Sequence, residues 1–440
     1  MHDRPAIARE AAVAALLAVC CDEIGSQAAL ARALENHGVQ DLRDRALTTE
    51  LLFGALRWRG RVDEILAAHS DRGIQGLDEE TLCVLRVATY QLRWLARVPA
   101  HAVIHDAVAQ VKARCDAPRG RFANAVLRRI ADAPPETSQG ASTSIRALAS
   151  RCGHPKWLVR QMREAYGEDP LPALCEAFSE AAPSVVRIRS SRRDETLAWL
   201  EGGELRGRAG TEPDAWILPG GIDPRSAAPF ERGWWIAQDE GSQRIVRRLA
   251  VRPGDRVLDV CAGSGTKTTQ IGEIALPKGS VVAVEQRRDQ VRALQQLMQR
   301  WGFPVEAHAL DATEPLPLPE ASFDRILVDA PCSGLGTIRR RPEIKWRRTP
   351  QDGLDLRELQ YALLANVARH LRPGGRMVYS VCTFSTTECE DVVRAFLEDH
   401  PDFRPAAEEG LDALGSERTS PCDGMDGFYL AVFEREAPAS

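Results

Sequence analysis

Apolar residues recur three and four positions apart along the first part of the chain. The pattern runs through AIAREAAVAALLAV, ALTTELLFGALRW, TLCVLRVATYQLRWL and HAVIHDAVAQV. That is the period of amphipathic helices, and β-branched runs are scarce between them. Residues 1–133 are therefore predicted to form an all-α domain of six or seven helices. The pattern stops in DAPPETSQGASTS, which is dense in Pro, Gly, Ser and Thr and nearly free of large apolar residues. It predicts a linker over 134–147.

Residues 148–232 mix the two periods. HPKWLVRQMREAYG reads as a helix starting after Pro155, PSVVRIRS as a strand, ETLAWLEGG as a helix and AWILPGG as a strand. This predicts a small α+β region. From Gly233 to residue 440 the rhythm becomes strand then helix. RVLDVC (256–261), SVVAVE (280–285), VEAHAL (305–310), DRILVDA (324–330) and RMVYSV (376–381) are short apolar runs. Helical stretches such as RRDQVRALQQLMQRW and LRELQYALLANVARHL separate them, and FYLAVFER (428–435) closes the series. Near-continuous apolar strands alternating with helices predict an α/β domain whose mostly parallel sheet is covered on both faces.

Composition changes this picture little. Hydrophobic residues make up 44% and charged residues 27%, so the chain is neither disordered nor a coiled-coil rod. A net charge of −5 excludes a histone-like polycation but leaves room for a local basic stripe. The 11 cysteines are odd in number and never spaced Cys-x-x-Cys, which argues against a disulfide framework and a zinc site and for a reduced, cytoplasmic setting. His101 and His105 stand four apart without a third ligand, so no metal is expected. The start of the chain reads as an amphipathic helix and not as a signal peptide, and no run of uncharged apolar residues is long enough to span a membrane. Nothing demands more than a monomer.

Chemistry enters at the strand ends. The first strand of the α/β domain runs into Cys261-Ala262-Gly263-Ser264-Gly265-Thr266-Lys267. A glycine-rich turn between strand and helix lets backbone approach a ligand closely, beyond the carboxyl edge of the sheet. It meets neither the P-loop pattern nor Gly-x-Gly-x-x-Gly, because Thr268 stands at the third glycine position. Glu285 ends the next strand, close to the spacing at which an acid meets a ribose diol. Asp311 ends the third and is placed to meet an adenine amino group. Together these suggest a nucleoside cofactor without a pyrophosphate, S-adenosylmethionine. The fourth strand ends in Asp329-Ala330-Pro331-Cys332 and the fifth in Val381-Cys382. Two thiols at adjacent strand mouths fit methylation of cytosine at C5. That carbon is a poor nucleophile until a thiolate adds to C6, and thiolate is both a soft nucleophile and a fair leaving group.

The pieces DVCAGSGTKTTQ, DAPCSGLGTIRRRPEIKW and YSVCTFSTTECE resemble the motifs of the Nol/Nop/Sun family of RNA cytosine-C5 methyltransferases. LRDRALTTELLFGALRWRGRVDEIL, LRVATYQLRWLARVPAHAVIHDAV and RFANAVLRR resemble the NusB-like RNA-binding domain that marks its bacterial Sun-type (RsmB-type) members, which act on 16S rRNA. The segments with HPKWLV, WWIAQDEGSQ and DGFYLAVFER fit as well, so the resemblance covers nearly the whole chain. It implies an all-α NusB-like domain, a small RNA-recognition-like α+β region and a Rossmann-like methyltransferase domain that uses S-adenosylmethionine. It implies Cys382 as the attacking thiol and Cys332 as the residue that releases product. Asp329 would hold the cytosine at N3, and Lys267 would stand by cofactor and base. Cofactor contacts would fall on Cys261 to Lys267, Glu285, Asp311 and Asp329. The implied partner is rRNA, naked or in a pre-ribosomal particle.

The chain departs from the family pattern in places. Gly263, Ser264 and Thr266 replace the usual Ala, Pro and second Gly of the turn, Val381 replaces a Thr before the nucleophile, and Cys389 replaces an Asn. Losing the proline frees a φ angle, but Gly265 and Lys267 remain, so cofactor binding is expected to survive this loosening of the turn. Two basic clusters are candidate RNA contacts: Arg121 and Arg128 beside Phe122, and Arg339, Arg340, Arg341 and Lys345 with Trp346 for stacking. Two other readings compete. A DNA cytosine-C5 methyltransferase would use Cys332 as nucleophile and need no second thiol. A non-catalytic rRNA assembly or antitermination factor would have no use for Cys332, Cys382, Asp329 and Lys267 together.

Overall fold

The computed structural model describes residues 4–134, 142–203, 205–276 and 278–437. The chain divides into two units, one of residues 1–181 with 338–347 and one of residues 182–337 with 348–440.

Ten helices carry the main run of the first unit: α1 (Arg4–Cys21), α2 (Ser26–Asn36), α3 (Leu42–Arg57), α4 (Arg59–Ala68), α5 (Glu79–Trp94), α6 (Ala100–Arg114), α7 (Ala117–Asp132), α8 (Ile145–Cys152), α9 (Lys156–Tyr166) and α10 (Leu171–Ser179). The starts of α3, α5, α7 and α8 are set by side chains that take up orphan backbone N–H groups. Asp78 accepts from the Thr81 N–H at 2.8 Å at the head of α5, and Asp116 does the same for Arg119 at the head of α7. The apolar face predicted for α5 is buried: Val84, Leu85, Val87 and Ala88 lie under Ala123, Val126, Leu127 and Ile130 of α7 in one core. Each such Val or Leu contributes about 1.5–3 kcal/mol by leaving water.

Residues 135–141 of the expected linker lie outside the described residues, and its last three positions are the first turn of α8. Residues 148–181, grouped by the sequence pattern with the α+β region, pack in the first unit. Leu148, Leu158, Val159, Met162, Leu174 and Phe178 bury the apolar faces of α8, α9 and α10 there.

The second unit holds two sheets. A small one of four strands is antiparallel at each of its pairings. It is built from β1 (Ser184–Ile188), β2 (Arg208–Ala209), β3 (Ala215–Leu218) and β4 (Trp235–Ala237). The larger sheet has eight strands: β5 (Arg256–Val260), β6 (Ser280–Glu285), β7 (Glu306–Ala309), β8 (Phe323–Asp329), β9 (Leu371–Val381), β10 (Phe403–Pro405), β11 (Ser416–Arg418) and β12 (Tyr429–Arg435). Its order is β10-β12-β9-β8-β5-β6-β7, with β11 on β12. β7, β6, β5, β8 and β9 run parallel and β12 lies antiparallel on β9. The order reverses at β5, because β6 lies on one side and β8 on the other. In open α/β sheets a ligand sits beyond the carboxyl ends of the strands at such a reversal. No helix among the described residues is long and apolar enough to cross a membrane.

Candidate active site

The turn after β5 is built around positive φ angles. Cys261 has φ 59°, Gly263 55° and Gly265 90°. Gly265 is required twice over. Its φ suits glycine, and a Cβ there would meet Leu294 Cγ at 2.9 Å on the helix Arg288–Trp301. A Cβ on Gly263 would meet nothing within 4 Å, so this side of the turn faces open space. The helix Thr266–Ala275 starts directly after Gly265 and presents Lys267 in its first turn.

Carboxylates stand at three successive strand ends around this turn. Glu285, at the end of β6, accepts from the Gly263 N–H at 3.0 Å and from the Arg287 N–H at 2.9 Å. Asp311, just past β7, accepts from the Thr313 N–H and hydroxyl and from Gln286 Nε2 at 2.8 Å. The Thr313 bonds hold its carboxyl below the usual range. Asp329, ending β8, accepts from Lys267 Nζ at 2.6 Å on one oxygen and from Ser380 Oγ at 2.7 Å on the other. Burial works against the Lys267 charge, but Asp329 outweighs it and Cys382 adds to the effect, so the ammonium is held protonated. Its Nζ also lies 5.7 Å from the centre of the Phe428 ring.

The two thiols predicted to meet do meet. Cys332 Sγ and Cys382 Sγ are 3.2 Å apart, and both residues are partly exposed. The loops that carry them are tied by backbone: the Gly336 N–H donates to the Cys382 carbonyl at 3.0 Å, and the Gly427 N–H donates to the Gly336 carbonyl at 2.9 Å. A Cβ on Gly336 would stand 1.6 Å from the Gly427 oxygen, so only glycine permits this approach. The hydrogen bond that Cys332 donates to Cys382 and burial push the Cys332 thiol well above its ordinary value. Cys389 is buried behind the site, its Sγ 3.7 Å from the Thr383 carbonyl.

Asp259, inside β5, was no candidate from sequence. It is fully buried, with one oxygen accepting from Thr268 Oγ1 at 2.6 Å and the other without a donor among the described residues. Burial pushes its carboxyl up to about 7. The unfolded chain sheds this proton near pH 3.8, so the stability that a neutral Asp259 contributes is complete below that pH. It drains by up to about 1.4 kcal/mol per unit as pH rises and levels off above about 7. Asp259→Asn keeps the acceptor for Thr268 and removes the titration. The stability difference between variant and wild type should move in the variant's favour by roughly 2–4 kcal/mol between about pH 5 and 8. Denaturant midpoints across that range check this, and a constant difference would show that the carboxyl does not titrate there.

The basic clusters divide. Arg121 and Arg128 are exposed on α7, while Arg119 pairs with Asp78 and Arg129 with Asp71. Arg341 is exposed and Arg340 partly so. Arg339, Lys345 and Trp346 differ from expectation. Arg339 is buried, and Lys345 is buried with its Nζ on the Arg57 carbonyl at 2.6 Å, the Gly153 carbonyl at 3.0 Å and His154 Nδ1 at 3.1 Å. Burial and the Arg57 charge push Lys345 well below its usual range. Trp346 donates from Nε1 to the Leu56 carbonyl at 2.8 Å. These side chains tie 338–347 into the first unit, and Arg339 and Lys345 are not presented to a phosphate, while Trp346 stays partly exposed.

Cys20, Glu79 and Cys83 bring three possible ligand atoms within 4.8 Å of one another. Arg86 lies 3.4 Å from that Glu79 carboxylate, and a guanidinium there competes with a divalent cation.

Comparison with known proteins places this arrangement. Residues 246–434 match the model of the 16S rRNA methyltransferase RsmB/F family, and residues 6–132 match the NusB family. The chain is 32% identical to the "Probable ribosomal RNA small subunit methyltransferase B" of Bacillus subtilis, over 97% of this chain and 98% of that protein. It is 33% identical to the ribosomal RNA small subunit methyltransferase B of Pseudomonas syringae, over 96% of each. Among solved structures, PH0851 shares the fold at a TM-score of 0.82 and 24% identity, covering 99% of this chain and 100% of its own. NSun6 from Pyrococcus horikoshii, solved with SFG, shares it at 0.57 and 19% over 64% of this chain and 98% of its own.

Proposed function

The chain belongs to the 16S rRNA methyltransferase RsmB/F family, a small-subunit rRNA methyltransferase dependent on S-adenosylmethionine, and on that premise we propose that it methylates C5 of a cytosine through a covalent Cys382 adduct. The observation that carries this reading is the pair of sulfurs 3.2 Å apart at the mouths of neighbouring strands, beside the Lys267–Asp329 pair. A DNA enzyme working through Cys332 alone would leave the second thiol idle. An inactive assembly factor would leave the whole cluster idle.

S-adenosylmethionine supplies an electrophilic methyl group. The chain's residues suit it: the open side of Gly263 admits a ligand to the backbone, and Glu285 and Asp311 offer carboxylate acceptors for hydroxyl and amino groups. With Cys261 to Lys267 and Asp329 they form the proposed cofactor cradle. Asp329 holds the pyrimidine at N3 through a proton shared between carboxylate and ring nitrogen, since both are acceptors. The Cys382 thiolate donates a pair to C6, and the C5=C6 pair becomes available at C5, which takes the methyl group as the sulfonium–methyl bond breaks and its pair stays on the sulfur of the departing thioether. Cys332, as thiolate, removes the C5 proton. The C–H pair rebuilds C5=C6, and the C6–S bond breaks with its pair returning to Cys382.

RNA would be held in part by the exposed Arg121, Arg128 and Arg341 and the partly exposed Arg340, whose contacts with phosphates are sequence-independent. The target base has to be turned out of its stack to reach the sulfurs. We place the protein in the cytoplasm, acting as a monomer on naked rRNA or on an assembling subunit. Mapping 5-methylcytosine in 16S rRNA from cells with and without the gene tests the function. One site should lose its mark and regain it on complementation with the wild-type chain but not with C382A. An unchanged map overturns the assignment.

A further inference from the structure

A buried carboxylate that the steps above leave unused lies between the two thiol loops. Glu388 has no exposed surface. One of its oxygens accepts from the Ser333 N–H at 2.8 Å and from Gln360 Nε2 at 3.1 Å. The other accepts from Ser333 Oγ and, at 3.4 Å, from Thr383 Oγ1. Ser333 follows Cys332 and Thr383 follows Cys382. Gln360 also donates to the carbonyl of Pro331, the residue before Cys332, at 2.9 Å. One side chain thus grips the chain neighbours of both sulfurs. Four donors converge on it, which a carboxylate satisfies and an amide does not, because the amide would turn its own N–H groups toward donors.

We propose that Glu388 is a positioning residue that clamps the Cys332 loop to the Cys382 loop and whose negative charge biases the pair, so that Cys382 attacks and Cys332 serves as the base. The inference rests on the division of labour proposed above. The charges facing the two sulfurs are uneven. Lys267, paired with Asp329, acts on Cys382. Glu388 acts on Cys332, behind the larger effects of the Cys382 hydrogen bond and of burial. Tyr379 also faces Cys332, Asp259 faces Lys267, and Arg348 donates to the Ser333 carbonyl at 3.3 Å. With Cys382 ionised, Cys332 keeps its proton. Once Cys382 is bonded to C6, its charge and its hydrogen bond no longer oppose ionisation of Cys332. The released proton goes to solvent, and the Glu388 charge keeps the resulting thiolate strongly basic.

Full-length E388Q tests both parts. Iodoacetamide labelling of each cysteine, followed by mass spectrometry across pH, should show the Cys332 profile moved down by roughly one unit, with Cys382 moved less. In single turnovers with RNA, release of the adduct should slow at least about tenfold while KM stays within about threefold. E388D keeps the charge and shortens the reach, so it should keep the Cys332 profile near wild type and still slow release. A Cys332 profile unmoved in E388Q, or release at the wild-type rate, overturns the proposal. If E388Q does not fold, the S333A/T383V double variant weakens the grip without touching the charge. Slowed release there supports the clamp, and an unchanged rate sinks it. C382A separates the levels: if it still methylates, the underlying assignment fails, whereas an inactive C382A with a normal E388Q fails only this inference.

Discussion

Replacing Cys382 by alanine is expected to abolish methylation and to leave no covalent RNA, while replacing Cys332 by alanine is expected to trap RNA on the protein. Both follow from two sulfurs within 3.2 Å of each other that carry different jobs. Without Cys382 nothing activates C5, and turnover should fall by roughly four orders of magnitude or more. Without Cys332 the thiolate still adds and the methyl group still moves. The C5 proton then has no nearby base, and turnover should fall by about 10²–10⁴. The adduct accumulates instead and runs as a shifted band on a denaturing gel. The loops are fastened to each other by Gly336 and Gly427 backbone bonds, so neither truncation removes what holds the other sulfur in place. If C382A traps RNA and C332A does not, the roles are reversed and Cys332 is the nucleophile, as in the DNA enzymes.

The parts of this site that were legible in the sequence are those where local pattern and chemistry coincide. β5, β6, β8 and β9 are continuous apolar runs because both faces of the sheet are covered, and their reactive residues lie at the run ends, where the pattern breaks. β10 and β11 are three residues each, too short to carry a period. Glu388 could not be singled out, since its role depends on Ser333, 55 positions away, and on Gln360, 28 positions away. The segment 338–347 misled for a related reason. Its six basic residues, counted through Arg348, read as a solvated cationic stripe. The acceptors that bury Lys345 are carbonyls of Arg57 and Gly153, 288 and 192 positions distant. A buried lysine head group needs such partners, and no local signal announces them. Asp259 was overlooked because an acid within an apolar strand run carries no mark of its burial until the Thr268 bond is seen.

Asp329→Ala is expected to stop the reaction earlier than Cys332→Ala does. The Asp329 carboxylate is held on both oxygens from two elements, by Ser380 at 2.7 Å from β9 and by Lys267 at 2.6 Å from the helix after the turn. Such a side chain has little freedom, and a base resting on it is oriented before any bond forms. Its loss removes the support at N3 and leaves Lys267 without the partner that holds its proton. Thiol addition to C6 should slow by about 10²–10⁴. Leaving a buried ammonium unpaired should also cost roughly 1–3 kcal/mol of stability. The decisive measurement places the change in the trapping background. C332A alone forms adduct readily, and C332A/D329A should form it at least about a hundredfold more slowly at saturating RNA. Equal trapping rates would remove Asp329 from the addition step and leave it a cofactor contact, which a loss of S-adenosylmethionine affinity in D329A would then register.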